Sequence, residues 1–425
     1  MKNDFSRRTS PGEKHHQGVL MQQGRVSLDA DWNEPQTTGG GGVSARDAGF
    51  RISLNGGGHL SIEAGRIYLD GILCQNITEV AFTDQPYMKF QRDPVSDGWS
   101  EGAPTDYIVY LHVWQRLVTE LEDQTLEEVA FGGPDSGVRV RSAWRVGVLN
   151  VSATPRLAAA QPAAPACGDQ LPSWADMVAP GTGTMTIRAR PIGENTDASS
   201  VTGNPGYRGL ENELYRVEVH DPGEPGQATF KWSRTNGSEV MLVRAISGST
   251  VTVDNTDPDE TRRLGVGQWV ELSDDYTDAV RLPGQMAQIT RIDPDAGAIT
   301  LSAATNSPFR VSNRPKLRRW DVAASAGLPL LPVEMSVEND RWIPLEGGVE
   351  VAFGDGTYAT GDYWEIPVRR VVGGVELALD GLAEPALTSR PARDIRHHYG
   401  RLAMLHADSS SGEWSLIDCR DVLPR

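Results

Sequence analysis

Three oxygen-bearing side chains near the start of the sequence have a spacing that can begin a calcium loop. Asp29, Asp31 and Asn33 occupy alternate positions, and side chains at the first, third and fifth positions of such a loop supply oxygen ligands to Ca²⁺. The rest of the pattern departs from that loop. Its sixth position, where the turn needs glycine, is Glu34, and its twelfth, where a bidentate glutamate belongs, is Gly40. We therefore predict exposed carboxylates at a strand end, with no metal site and no cofactor.

A second set of candidate metal ligands lies near residue 400. His397, His398 and His406 are accompanied by Asp394 and Asp408, and histidine with carboxylate is a common zinc ligand set. Adjacent residues of a strand point to opposite faces, so a regular strand cannot direct His397 and His398 to one ion. The pattern favours packing or surface histidines.

Four signatures of common enzyme classes are absent from the sequence. It contains no phosphate-binding loop, no dinucleotide-binding glycine motif, no zinc-protease motif and no serine-hydrolase elbow. Glycoside hydrolysis needs two carboxylates across the scissile bond, but 57 acidic residues give no basis for choosing a pair. Aromatic platforms can bind sugars, yet Trp114, Trp144, Trp232 and Trp364 lie in strand patterns that favour core packing. We predict no catalytic residue.

The charge balance argues against nucleic acid as a partner. The formal net charge is −17, from 57 acidic and 40 basic residues, and such a surface repels a phosphate backbone. The densest basic stretch, residues 310–319, is interpreted as surface charge because no aromatic residues alternate with it.

No stretch reaches the roughly 18–20 apolar residues of a membrane span, and the opening residues contain no apolar core of a signal peptide. We expect synthesis in the cytoplasm and no membrane insertion. The three cysteines, Cys74, Cys167 and Cys419, lie far apart and form no CxxC pair, so we expect reduced structural thiols.

Alternating apolar and polar residues predict β-strands along most of the chain. Residues 107–118 are apolar on both faces, which is typical of a central strand, whereas residues 138–148 carry arginines that predict one exposed face. Residues 60–62 and 67–69 flank Gly65 and predict a hairpin. The only stretch resembling a helix, residues 120–129, lacks a complete helical period, so we expect at most a short helix there.

Composition and patterning together predict the architecture. The 45 glycines and 27 prolines indicate many turns, and the alanine, proline and glycine between residues 158 and 183 favour a domain boundary. We predict a mainly β protein, with several small β-sandwich or barrel-like domains joined by Gly/Pro-rich loops and little helix. The predicted divisions are an N-terminal β domain (1–157), a linker or irregular segment (158–205), a second β domain with a small barrel-like module within about 240–320 (206–320), and a C-terminal β domain (321–425).

One long opening motif resembles a known family. Residues 18–34, GVLMQQGRVSLDADWNE, are similar to the amino-terminal signature of the DUF6519 family, and residues 126–145, 209–240 and 317–321 carry further stretches of the same kind. Related chains resemble components encoded with phage-tail-like contractile injection particles, and their opening pattern is similar to that of phage tail structural proteins. The resemblance implies no catalytic residues.

These observations predict a non-enzymatic structural or adaptor component of such a particle. We expect it to bind tube, baseplate or spike proteins and to lie in or on a particle that can be released; whether it also forms a homo-oligomer stays open. An alternative is a cargo or effector carried by the particle, including one that acts on glycans, and a free carbohydrate-binding module is a third. The residues expected to fix a turn and a docking edge are Gln22, Gln23, Gly24, Arg25, Asp29, Asp31, Trp32 and Asn33.

Overall fold

The computed structural model describes most of the chain but not all of it. The described residues are 16–21, 49–55, 58–88, 93–96, 106–119, 122–126, 137–151, 166–189, 207, 209–253, 264–305, 309, 311–321, 331–332, 342–370, 374–375, 389–393, 397–408 and 411–420. For residues 16–21 and 331–332 only the backbone is described. None of the helices in this part of the chain is both long and apolar enough to cross a bilayer.

The described chain is mainly β with little helix, which confirms the predicted fold class. It divides into two compact units, the first formed by residues 1–179 and 395–425 and the second by residues 180–394. The four-part division drawn from composition stays a prediction.

Unit 1 is built on a five-stranded antiparallel sheet with the order β1-β8-β7-β24-β25. Two smaller sheets, β2-β3-β6 and β4-β5, complete it. Its strands are β1 (His16–Met21), β2 (Ile52–Leu54), β3 (Leu60–Ile62), β4 (Gly65–Leu69), β5 (Ile72–Asn76), β6 (Val80–Ala81), β7 (Asp106–Val118), β8 (Gly137–Asn150), β24 (His398–Ala407) and β25 (Trp414–Asp418). β7 occupies the centre, so the prediction of a central strand at 107–118 is confirmed.

The predicted hairpin between residues 60–62 and 67–69 is wrong. β3 pairs with β2 and β6, whereas β4 pairs with β5. The turn that joins β4 to β5 is Asp70-Gly71, and both residues have positive φ, at 49° and 83°. A two-residue Asp-Gly turn of this kind is the strongest short hairpin signal, and it outweighs the isolated Gly65.

The expectation of one exposed face for residues 138–148 is wrong at the start of β8. Arg139 is only 1% exposed, and its guanidinium donates a hydrogen bond to the carbonyl of Gly137 at 3.0 Å. A buried cation is tolerated when its donors are hydrogen-bonded. Earlier in the chain, the described part of 120–129 contains a 3-10 turn, Gln124–Leu126, which agrees with the expectation of at most a short helix.

The expectation that all three cysteines are reduced thiols is wrong for two of them. Cys167 and Cys419 form a disulfide with a Cα–Cα distance of 5.3 Å, although they are 252 residues apart in sequence. Sequence spacing carried no signal for this pair, because the two segments meet only through packing against the unit 1 sheet. Cys74 is free and buried, as expected.

Unit 2 contains a β-sandwich and a closed β-barrel. The sandwich has one sheet of order β18-β11-β10-β21-β22 and another of order β19-β20-β9-β23. Its strands are β9 (Thr184–Ala189), β10 (Glu213–Val219), β11 (Thr229–Ser233), β18 (Leu331–Pro332), β19 (Ile343–Pro344), β20 (Val349–Phe353), β21 (Tyr363–Arg369), β22 (Gly374–Val375) and β23 (Arg390–Pro391). Its core includes Tyr215, Phe230, Trp232, Phe353 and Trp364.

The barrel lies between residues 240 and 320, the segment for which the sequence predicts a barrel-like module. Its strands close in the order β12-β13-β16-β15-β14-β17 around a core of aliphatic side chains. They are β12 (Val240–Ser247), β13 (Thr250–Val253), β14 (Trp269–Ser273), β15 (Gln285–Asp293), β16 (Ala298–Leu301) and β17 (Lys316–Trp320).

Two α-helices are described, one in each unit. α1 (Pro172–Val178) belongs to unit 1. α2 (Asp275–Ala279) follows β14 in unit 2, and the Asp274 side chain caps its amino terminus by accepting from the Thr277 backbone N–H. The predicted core positions of Trp114, Trp144, Trp232 and Trp364 are confirmed, since none is more than 8% exposed.

Candidate functional site

The predicted docking residues, from Gln22 to Asn33, lie outside the described residues, and so does the calcium-like spacing Asp29-Asp31-Asn33. Both stay predictions.

The histidines near residue 400 form separate pairs. His398 Nδ1 lies 2.8 Å from Asp70 Oδ2, and His406 Nδ1 lies 2.7 Å from Asp106 Oδ1. His397 turns the other way and meets His112 at 2.6 Å. No group of three metal-ligating side chains occurs in the described parts of the chain, and the opposite directions of His397 and His398 agree with strand geometry.

Ionisable and tyrosyl side chains gather at one end of the sandwich core. On β10, Glu213 shares the core-facing row of Tyr215 and Val217, because side chains on a strand alternate between its faces. On β11, Trp232 faces the same core, and Arg234 follows two residues later. We call the following group the tyrosine–carboxylate cluster: Tyr207, Glu213, Tyr215, Arg234, Asp321 and Glu346.

Arg234 connects the carboxylates of the cluster. Its Nη2 lies 2.9 Å from Glu346 Oε2 and 3.5 Å from Asp321 Oδ1. The Tyr215 hydroxyl donates to Glu346 Oε1 at 3.4 Å, and the Tyr215 ring stacks on Trp232 with centroids 5.8 Å apart. Arg234 and Glu346 are 39% and 33% exposed, so solvent and ligands reach this side of the cluster.

Glu213 differs from the other carboxylates of the cluster. Its carboxylate makes no hydrogen bond or ion pair to any residue that the structure describes. Burial raises the pKa of Glu213; Arg234 opposes that rise, while Glu346, Glu211 and Asp321 add to it. A carboxyl with a raised pKa beside ionised neighbours is the kind of group found at binding and catalytic sites.

The tyrosines and the arginine respond to the same excess of negative charge. Burial raises the pKa of Tyr215, and Glu346 raises it further. Burial lowers the pKa of Arg234, but Asp321, Glu346 and Glu213 outweigh burial and leave it raised. The cluster therefore suits a ligand that brings positive charge or hydroxyl donors.

A second polar group, which we call the ion-pair clamp, joins the sandwich to the barrel inside unit 2. It consists of Glu218, His220, Lys231, Glu271 and Trp320. Lys231 Nζ lies 2.6 Å from each carboxylate oxygen of Glu271 and 3.3 Å from Glu218 Oε1. Trp320 Nε1 donates to Glu271 Oε2 at 2.8 Å, and His220 Nδ1 lies 3.5 Å from Glu271 Oε1.

Electrostatics fixes the charge state of the carboxylates in the clamp. Burial alone raises the pKa of Glu271, but Lys231 and His220 outweigh it and hold this pKa well below its usual range. Burial likewise opposes ionisation of Glu218, whereas Arg216 and Lys231 lower its pKa overall. The clamp is a satisfied internal network with a structural use.

Neither group was found from the sequence. Lys231 occupies the polar row of a strand whose other row is apolar, which is a pattern typical of an exposed lysine. It is buried because β11 also contacts barrel strand β17. The members of the tyrosine–carboxylate cluster are spread from residue 207 to residue 346, so only the fold brings them together.

Comparisons with known proteins give one match. The chain matches no curated protein and no solved structure. A model for a family of unknown function, DUF6519, matches residues 53–190 and 181–420. These ranges cover most of the sequence. They contain three of the four stretches that resemble the family, namely 126–145, 209–240 and 317–321, whereas 18–34 lies outside them. The chain therefore belongs to the DUF6519 family.

Proposed function

We propose that this protein is a non-enzymatic structural or adaptor component of a phage-tail-like contractile injection particle. It acts by binding other particle proteins of the tube, baseplate or spike. The resemblance of residues 18–34 to tail structural proteins supports this role, and the modular β architecture is compatible with it. The residues from Gln22 to Asn33 are the proposed docking motif.

The observation that carries the proposal is the edge strand β25. It pairs with β24 on one side and ends the order of the five-stranded sheet, with no further strand beside it among the described residues. Ile417 of this strand is 45% exposed. An open edge can accept an extended segment of a partner through backbone hydrogen bonds, and an exposed apolar side chain adds specificity.

The test is purification of assembled particles from cells that produce them. A structural component is present in fixed stoichiometry, occupies one symmetric position in particle images, and is required for assembly. A particle that assembles normally without the protein, or that carries it in variable amounts, contradicts the proposal.

A matched pair of variants tests the edge itself. Ile417→Asp places a charge on β25 and is expected to weaken co-purification with particles by about tenfold or more, equivalent to ~1.4 kcal/mol. Val266→Asp changes a residue that is 65% exposed in unit 2 and serves as the control. Equal incorporation of the two variants contradicts docking through this edge.

The raised pKa of Glu213 favours one second candidate, a cargo protein that acts on glycans. Glycoside hydrolysis uses one protonated and one ionised carboxyl group, and Glu213 lies near Glu346 in the tyrosine–carboxylate cluster. Release of reducing sugars from cell-wall or capsular glycans, abolished by Glu213→Gln and retained by Glu224→Gln at an exposed turn, supports this candidate. Equal rates for both variants oppose it.

A further inference from the structure

Residues 166–178 form a lid on the second face of the unit 1 sheet. The lid consists of a turn followed by α1. Leu171, Trp174 and Met177 pack there against a small apolar cluster that includes Ile108, Tyr110 and Met404. The Trp174 ring meets Tyr110 edge-on at 5.7 Å. This face lies opposite the main core of the unit, which packs on the other side of the sheet.

Few buried non-covalent contacts attach the lid to the sheet. No residue of α1 is fully buried, and Leu171, just before it, is 4% exposed. Arg401 of β24 adds polar contacts, because its Nη1 donates to the carbonyls of Cys167 at 2.6 Å and Asp169 at 2.8 Å. An element with so few buried apolar contacts opens at low free-energy cost.

The covalent attachment is the disulfide from Cys167 to Cys419. Cys419 directly follows β25, and its backbone N–H donates to the Leu402 carbonyl at 2.8 Å. This end of the link is therefore fixed to the sheet. Both cysteines are partly exposed, so a reductant in solution reaches them.

We propose that the lid is a redox-controlled cover, closed when Cys167 and Cys419 are joined and open when they are reduced. A dithiol reductant supplies two electrons and two protons. One thiolate of the reductant attacks the Sγ of one cysteine and forms a mixed disulfide, and the other cysteine is released as a thiol. The second thiol of the reductant then attacks its own sulfur in the mixed disulfide, which releases the remaining cysteine as a thiol and the reductant as a cyclic disulfide. The lid is thus open in a reducing compartment and closed in an oxidising one. This inference goes beyond the proposed function and does not depend on it.

Cys74 provides an internal standard for the thiol chemistry. It is 1% exposed, and burial raises its pKa to about 12. Little thiolate forms at neutral pH, so the native Cys74 reacts slowly with alkylating reagents. Fast alkylation after reduction therefore reports on Cys167 and Cys419.

The experiment compares the full chain, first equilibrated in an oxidising glutathione buffer, with the same protein after treatment with dithiothreitol. Alkylation with iodoacetamide followed by intact mass is expected to show no fast thiol before reduction and two afterwards. Hydrogen exchange of peptides covering residues 166–178 is expected to accelerate on reduction, on the order of thirtyfold, the factor that corresponds to the lower end of typical disulfide stabilisation.

Variants separate the link from general effects of the reductant. The double variant Cys167→Ser/Cys419→Ser is expected to show the fast exchange in both conditions, and Cys74→Ser is expected to keep the wild-type response. Two fast-reacting thiols in the oxidised protein overturn the proposal, as does exchange at residues 166–178 that reduction leaves unchanged. Should the double variant fail to fold, the response of the wild-type protein to reductant decides alone.

Discussion

Lys231 and Glu271 form a bidentate ion pair across the junction of the sandwich and the barrel, with both N–O distances at 2.6 Å. Their side chains are 4% and 7% exposed. A buried pair of this kind adds modest net stability while both partners are present, but removal of one partner leaves an uncompensated charge. The junction is therefore sensitive to single substitutions.

Lys231→Met is expected to lower the free energy of unfolding by about 3–5 kcal/mol, because it leaves Glu271 and Glu218 without their shared cation. Urea denaturation of the full chain measures the change. Arg291→Met is the control, since Arg291 is 76% exposed beside Asp293 and such pairs contribute about 0–1 kcal/mol. A similar loss in both variants contradicts the structural use of the clamp.

The clamp also predicts a loss of stability in acid. Glu271 and Glu218 both have pKa values below the ordinary 4.5, so the unfolded chain binds protons first as the pH falls. Their contribution is present above 4.5 and is lost as the pH falls from there toward the folded-state values. The melting temperature is expected to fall less steeply with decreasing pH for Glu271→Gln than for wild type. The same dependence of melting temperature on pH in both proteins contradicts the assignment of acid sensitivity to Glu271.

Glu213 predicts the opposite pH dependence. Its folded-state pKa is raised above the ordinary 4.5, so the native state holds the proton more tightly than the unfolded chain. Stability from this group is full below 4.5 and is lost as the pH rises through the folded value. Glu213→Gln is therefore expected to raise the melting temperature at neutral pH relative to wild type. Glu224→Gln, at an exposed turn, is expected to leave it unchanged, and a stabilisation of equal size in both variants refutes the assignment.

Gly147 predicts a packing constraint in unit 1. A Cβ at this position would overlap the ring of Tyr110, which in turn contacts Trp174 and Tyr399. Gly147→Ala is expected to cost ~1–3 kcal/mol, the usual range for overpacking a core. Gly168→Ala, where a Cβ meets no atom within 4 Å, provides the comparison. Equal melting temperatures for the two variants would rule out the packing constraint at Gly147.

Local patterns were sufficient for strands whose apolar positions follow one another directly in sequence. The apolar run that became β7 is buried on both faces, and the alternating row Tyr215, Val217 and Val219 packs into the sandwich core. The barrel segment was found because its short strands and turns follow one another in sequence.

The remaining features depend on contacts that sequence spacing does not encode. The burial of Lys231 requires a second module on the outer face of the sandwich, and the disulfide requires two segments 252 residues apart to meet. Arg234 and Glu346 likewise become neighbours only through sheet packing. Long-range assembly therefore determines the candidate site, whereas local periodicity determines the fold class.

The strand order of unit 1 has a consequence for biosynthesis. β24 pairs along β7, yet all of residues 180–394 leave the ribosome before β24 does. During translation, one edge of β7 therefore stays unpaired until β24 has been synthesised. Unit 2 can complete its folding before unit 1. Chaperones that protect exposed edges are expected to engage the nascent chain during this interval.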